Sequence, residues 1–166
     1  MRRRDSVWKD VATGAIAGFA ATIAMTQFQN GMQALMQRQQ NGRRNGSNAE
    51  PATEKAARKI TQAVGAGDIS RSKRKDAGMA VHYAFGTGNG ILYNTLSRVM
   101  PAARLGFGAA FGAALWAIGD EIAVPAFGLS APPKKTPMSQ HLMALGAHLV
   151  YGVANEGIGR GVRAVL

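Results

Sequence analysis

The sequence contains no cysteine. Disulfide bonds, thiolate chemistry and cysteine-ligated metal sites are therefore excluded. The sequence also lacks a G-x-S-x-G motif and a phosphate-cradling loop, because the Gly-rich segment at 86–90 has no lysine and no strand–turn–helix context. These absences argue against the common hydrolase and nucleotide-binding classes.

Charged residues are also scarce over long distances. Four stretches contain few or no Asp, Glu, Lys or Arg residues, at 11–37, 77–97, 105–133 and 136–155. A bilayer core needs about 20 apolar residues per helix, which each stretch supplies if its slightly polar residues face inward. The sequence therefore predicts a single all-α domain over 1–166, an integral membrane bundle of four glycine-rich transmembrane helices. The alternative, a soluble helical domain, would show charged faces within these stretches.

Each stretch contains, or is followed by, two glycines four residues apart. The pairs are Gly14/Gly18, Gly86/Gly90, Gly108/Gly112 and Gly157/Gly161. Glycine is common here, at 21 residues, so one pair alone indicates little. Four pairs in comparable places indicate helices that pack backbone against backbone in lipid, where small residues permit close approach.

The predicted membrane helices cover about 10–37, 77–97, 105–124 and 138–158. The 38–76 loop begins with a linker at 41–50 and carries a short amphipathic helix at about 53–64, which suits either a membrane surface or the end of the bundle. The uncharged run after the N-terminal arginines is too long for a signal peptide, so we expect the first helix to be retained. Pro125 cannot donate a backbone hydrogen bond and predicts a kink or an end near Glu121.

The net charge of +11 is concentrated in the first loop, since ten of the 20 Lys and Arg residues lie between Arg38 and Lys75. Aromatic residues do not interleave with this basic run and no recognition motif accompanies it, so we expect no nucleic-acid partner. We expect the 38–76 loop to lie near anionic lipid headgroups. Its charge favours a cytoplasmic position, although the arginines before the first helix favour the opposite orientation.

Polar and ionisable residues recur inside the apolar stretches, where such residues usually face the bundle interior, pair or serve function. The candidate intramembrane cluster comprises His82, Asn89, Tyr93, Asp120, Glu121, His148, Tyr151 and Glu156. Four roles remain open: hydrogen bonds between helices, a proton or ion pathway, a metal site and catalysis. We assign no metal ligands, because His141 and His148 are two helical turns apart, about 10 Å, and cannot bind one ion.

We expect one carboxylate–histidine contact across the bundle interior, between Asp120 or Glu121 and His148 or His82. The two carboxylates are adjacent and point about 100° apart on an α-helix, so only one faces the centre. We favour Glu121, because Asp120 continues the Gly108–Gly112 line that we assign to helix contact.

Several segments together resemble the YagU-like family of bacterial inner-membrane proteins. They are Pro51-Ala-Thr-Glu-Lys-Ala-Ala-Arg58, Val81-His-Tyr-Ala-Phe-Gly86, Gly90-Ile-Leu-Tyr93, Asp120-Glu-Ile-Ala-Val-Pro-Ala-Phe-Gly-Leu-Ser130 and His141-Leu-Met-Ala-Leu-Gly-Ala-His-Leu-Val-Tyr-Gly152. The resemblance covers most of the chain from Gly14 onward and implies a multi-pass protein of the bacterial inner membrane. It implies no reaction. The chain departs from its relatives at Asn94, where they often have Gly, and in its very basic first loop.

The sequence thus predicts a small membrane protein without enzymatic activity, a structural or accessory subunit packed through small-residue helix faces. Its expected partners are the lipid bilayer and either further copies of itself or other membrane protein subunits. The alternative is an oligomeric transporter of protons, ions or small solutes that uses the intramembrane His and carboxylate residues. No cofactor is expected.

Overall fold

The computed structural model describes residues 2–39 and 50–166. All regular elements within these ranges are helical, which confirms the all-α prediction. The elements are α1 (Arg2–Gln39), α2 (Ala52–Ala63), α3 (Arg74–Val99), α4 (Ala109–Leu115), a π-helix (Trp116–Ala123), α5 (Val124–Ala126) and α6 (Met138–Val165). We call the continuous segment of α4, the π-helix and α5 the third long helix. The predicted linker at 41–50 lies, apart from Glu50, outside the described residues.

The four long helices run up and down. α1 packs against both α3 and α6, the third long helix packs against α6, and α2 packs on α3. An ion pair of 2.5 Å between Asp10 and Arg98 places the start of α1 beside the end of α3. At the opposite end the Lys59 Nζ atom donates to the Phe127 carbonyl at 2.6 Å. We call these the termini end and the loop end of the bundle.

Glycines bring α1 and α3 into direct backbone contact. A Cβ atom at Gly14 would lie 2.5 Å from the Cα of Ile91, and one at Gly18 would lie 2.8 Å from the Cα of Gly90. A Cβ atom at Gly86 would meet the side chain of Thr22. These distances are shorter than any side-chain contact allows, so the approach requires residues without a side chain.

α4 and α6 meet in a similar way. Cβ atoms at Gly108 and Gly112 would run into the carbonyl groups of Gly152 and His148. The fourth sequence pair does not form such a contact: Gly157 lies beside the ring of Phe107, and no described atom lies within 4 Å of a Cβ at Gly161. Gly152, which belongs to none of the four pairs, is the glycine of α6 that forms the backbone contact, with Gly108 and Gly112.

The third long helix differs from its prediction at both ends. It begins at Ala109 rather than near 105, because Gly106, Phe107 and Gly108 have φ angles of 60°, 57° and 88°, which no right-handed helix contains. Nor does Pro125 end it near Glu121, since helix continues to Ala126. The π-helix before the proline explains this: its wider turn gives the pyrrolidine ring room against a carbonyl that it would meet in an α-helix.

Two described segments are long and apolar enough to cross a membrane, Val7–Arg38 and Ala109–Ala126. α3 and α6 are long enough but carry more polar residues, some of which are buried, among them Asn94, Asn155 and Glu156. A four-span architecture therefore stays a prediction. α2 caps the loop end through buried Ala57, while Ile60 and the residue that follows the helix, Val64, are exposed.

Candidate functional site

The least exposed charged group among the described residues is the carboxylate of Glu156 on α6, at 0% exposure. Its Oε2 atom accepts a hydrogen bond of 2.8 Å from the Tyr93 hydroxyl on α3. Its Oε1 atom accepts a hydrogen bond of 2.7 Å from Nε of Arg160, and Nη2 of that residue lies at the same distance. Arg163 Nη2 lies 3.8 Å from Oε2. These four residues form what we call the Glu156 cluster. Its buried charge is compensated on both oxygens, as burial of a carboxylate requires.

Next to the Glu156 cluster, further polar side chains form hydrogen bonds between α3 and α6. Asn94, which is fully buried, accepts a hydrogen bond of 2.8 Å from Arg163 Nη1 and places its own Nδ2 atom 3.4 Å from Asn155 Oδ1. The Tyr151 hydroxyl donates to the backbone carbonyl of Gly86 at 2.6 Å. Polar atoms of α3 and α6 are therefore paired over about two helical turns.

A second polar group lies nearer the loop end, and we call Thr26, His82, Asp120 and His148 the histidine cluster. The Thr26 hydroxyl donates to a carbonyl of its own helix, so it accepts from His82 Nε2, at 3.2 Å. Asp120 Oδ2 lies 3.7 Å from His148 Nδ1, which donates to the Ala144 carbonyl at 2.9 Å. Asp120 and His148 are thus close enough to interact electrostatically without a direct hydrogen bond.

Glu121 has a different partner from the one we favoured. Its Oε1 atom lies 2.6 Å from Nδ1 of His141, and the other ring nitrogen of that histidine lies 3.1 Å from the Pro133 carbonyl. The choice of Glu121 as the partner of His148 is therefore wrong, and Asp120 takes that position. Asp120 continues the line of Gly108 and Gly112 as expected, but that line faces α6 at His148, so the carboxylate that we assigned to helix contact is the one that approaches the histidine.

The structure does not bring all predicted residues together. Asn89 donates to the Phe85 carbonyl of its own helix at 2.9 Å and joins neither cluster. Sequence reasoning missed the role of Arg160, although its i,i+4 spacing from Glu156 was a usable signal. The pair of Asp10 and Arg98 had no such signal, because it depends on how two distant helix ends meet.

The loop end carries an exposed ion-pair network. Arg58 donates to Asp68 through Nε and Nη2, at 2.7 and 3.0 Å, and lies 3.1 Å from Glu50. The hydrogen bonds from Arg58 hold the pKa of the Asp68 carboxyl below its usual value. Arg74 contacts the same two acids, at 3.3 Å from Asp68 and 3.8 Å from Glu50. This network ties α2 to the start of α3.

Among residues 2–39 and 50–166, no group of three or more His, Asp or Glu side chains is arranged to hold a metal ion. No curated protein and no solved structure matches the chain. A family described as "Protein of unknown function (DUF1440)" matches residues 59–157, which is more than half of the sequence and includes α3, the third long helix and most of α6. The protein therefore belongs to the DUF1440 family.

Proposed function

We propose that the protein is a non-enzymatic, multi-pass protein of the bacterial inner membrane, related to the YagU-like proteins, that serves as a structural or accessory subunit. The observation that carries this proposal is an inverted distribution of polarity. Large apolar side chains lie outside, for example Phe85 at 60% and Ile118 at 63% exposure, whereas Asn94, Asn155 and Glu156 are fully buried.

This distribution suits lipid better than water. In water, exposed apolar surface costs about 25 cal/mol per Å², and contiguous exposed apolar patches are uncommon on soluble monomers. In a bilayer the same side chains contact acyl chains at no such cost. The polar groups gain from facing one another, because lipid offers them no hydrogen-bond partner.

The pairing of the interior groups favours a structural role over a catalytic one. Both oxygens of Glu156 are occupied, the Tyr151 hydroxyl is bound to a backbone carbonyl, and Glu121 is matched by His141. Groups whose donors and acceptors are already satisfied by one another hold helices together. Contacts of this kind are worth about 0.6 kcal/mol on average in membrane proteins.

Membrane fractionation with an alkaline carbonate wash tests the location. We expect the full-length protein to remain in the membrane pellet and to enter solution only with detergent. Recovery in the carbonate supernatant would reject an integral membrane protein. The detergent-solubilised complex then tests the role, because an accessory subunit co-purifies with unrelated chains in a fixed ratio.

The histidine cluster supports one alternative, an oligomeric transporter of protons or ions. Three titratable side chains, His82, Asp120 and His148, come from three different helices and are close enough to interact electrostatically. Asp120 has no direct hydrogen bond to His148. Proteoliposomes that contain the wild-type protein should then acidify, and those that contain Asp120→Asn should not. Those that contain Asp76→Asn, an exposed change at the start of α3, should acidify as the wild type does. Equal and negligible proton flux in wild-type and empty liposomes would rule this alternative out.

A further inference from the structure

The termini end of the bundle carries more cationic than anionic groups. Arg160 and Arg163 contact one carboxylate, that of Glu156, and Arg104 is close enough to interact with it electrostatically. The neighbouring acid Asp10 is already bound by Arg98. Two of the three guanidinium charges around Glu156 are therefore not balanced by a described carboxylate.

Arg104 has unused hydrogen-bond donors. It lies in the turn after α3, at Pro101–Arg104, and its Nη2 atom makes a hydrogen bond of 3.3 Å to the Ser97 hydroxyl. Its Nε atom is buried and has no hydrogen-bond partner in the part of the chain that the structure describes. A buried, unpaired donor on a charged group is costly, so this geometry points to a missing acceptor.

The surroundings of the three arginines are apolar and open. The Arg160 guanidinium carbon lies 4.7 Å from the centroid of the Phe107 ring, and that ring is partly exposed. Leu105 and Met100, in the same turn, are exposed as well. A cationic group bordered by exposed apolar side chains matches a ligand with an anionic head and an apolar tail.

We propose that Arg104, Arg160 and Arg163 bind the phosphate group of an anionic phospholipid at the termini end of the bundle, with the acyl chains along Leu105 and Phe107. Guanidinium groups suit this ligand because their planar donors match phosphate oxygens. The site lies at the end of the bundle opposite α2. The inference rests on the proposed membrane location, although the guanidinium set itself would recognise any phosphate group.

The test uses the full-length protein in a neutral detergent. Native mass spectrometry measures retention of phosphatidylglycerol and of phosphatidylcholine with identical acyl chains. We expect the wild-type protein to retain phosphatidylglycerol preferentially, because the choline group of phosphatidylcholine would bring a further positive charge to the arginines. Arg104→Gln should weaken that retention by about tenfold or more, as expected when a charge-assisted hydrogen bond to phosphate is lost. Arg71→Gln, which removes one exposed charge at the loop end, should retain the lipid as the wild type does.

Three outcomes would overturn the inference. Equal retention of the two lipids by the wild-type protein would do so without any variant, even if Arg104→Gln failed to fold. Unchanged retention by a folded Arg104→Gln would exclude the arginine site. Stabilisation by inorganic phosphate, with no preference for phosphatidylglycerol, would assign the cluster to a soluble ligand. If the protein sediments with membranes, each of these results rejects the lipid site and leaves the proposed function unaffected. Failure to sediment rejects the proposed function itself.

Discussion

The contact between α1 and α3 makes Gly90→Ala the most informative single substitution. A Cβ atom at Gly90 would meet the carbonyl oxygen of Gly14 and the Cα of Gly18. Both obstacles are backbone atoms, which cannot rotate away as the end of a side chain can. The two helices would have to separate along their whole contact, or the new methyl group would distort one of them.

The same helix supplies a matched control. Gly88 lies two residues before Gly90, and apart from its own helix backbone no described atom lies within 4 Å of a Cβ built there. Gly88→Ala should therefore stabilise α3 by up to about 1 kcal/mol, the difference between the two residues in helix propensity. Gly90→Ala has the same propensity gain but adds an overpacking cost of about 1–3 kcal/mol or more. We expect the second variant to be less stable than the first by about 1–3 kcal/mol.

Stability is measured by titrating the purified protein from mild detergent into SDS and following helix content by circular dichroism. The two variants should move the midpoint in different directions from the wild type. Gly112→Ala against Gly119→Ala repeats the comparison on the third long helix, since Gly112 faces the His148 carbonyl and Gly119 faces open space among the described residues. If alanine were tolerated equally at Gly90 and Gly88, or at Gly112 and Gly119, the close backbone contact at Gly90 or Gly112 would not exist.

Two further predictions concern the polar contacts. Tyr93→Phe removes the hydroxyl that donates to Glu156 and should lower stability by about 0.6 to 1.7 kcal/mol, the range for polar contacts between membrane helices. A loss no greater than that of Tyr83→Phe, measured by the same titration, would contradict this. Glu121→Ala and His141→Ala should be non-additive in a double-mutant cycle, because the two side chains contact each other at 2.6 Å. Additive effects within about 0.3–0.5 kcal/mol would show that the contact contributes nothing.

The sequence predicted the helices well because their signals are local. The charge-free stretches correspond to α1, α3, the third long helix and α6, and the short helix at about 53–64 overlaps α2 at Ala52–Ala63. Each of these depends on residues within one segment. The late start of the third long helix also has a local cause, the glycines on either side of Phe107, but their left-handed conformation is not specified by glycine alone.

The candidate site was predicted less completely, because its contacts depend on register and on an irregular helix. The sequence placed Tyr93, His148 and Glu156 inside, and all three are buried. It assigned the His148 contact to Glu121, whereas Asp120 lies beside His148 and Glu121 contacts His141, because the sequence did not indicate which helix the line of Gly108 and Gly112 faces. Nor could it pair Tyr93 with Glu156, since no spacing rule links residues 63 positions apart.

Two polar contacts between α3 and α6 explain why such costly groups are buried. Tyr93 meets Glu156, and Tyr151 meets the carbonyl of Gly86. A slide of α6 by one helical turn, about 5.4 Å, would break both contacts together. The Oε2 atom of Glu156 would lose its donor and the Tyr151 hydroxyl would lose its acceptor, and each loss of a buried partner is costly. Glycine contacts specify how close two helices lie but tolerate such a slide wherever another small residue follows. The polar pairs therefore fix the register of α3 against α6, while the glycines of α1 and α4 set the separation of their helices from these two.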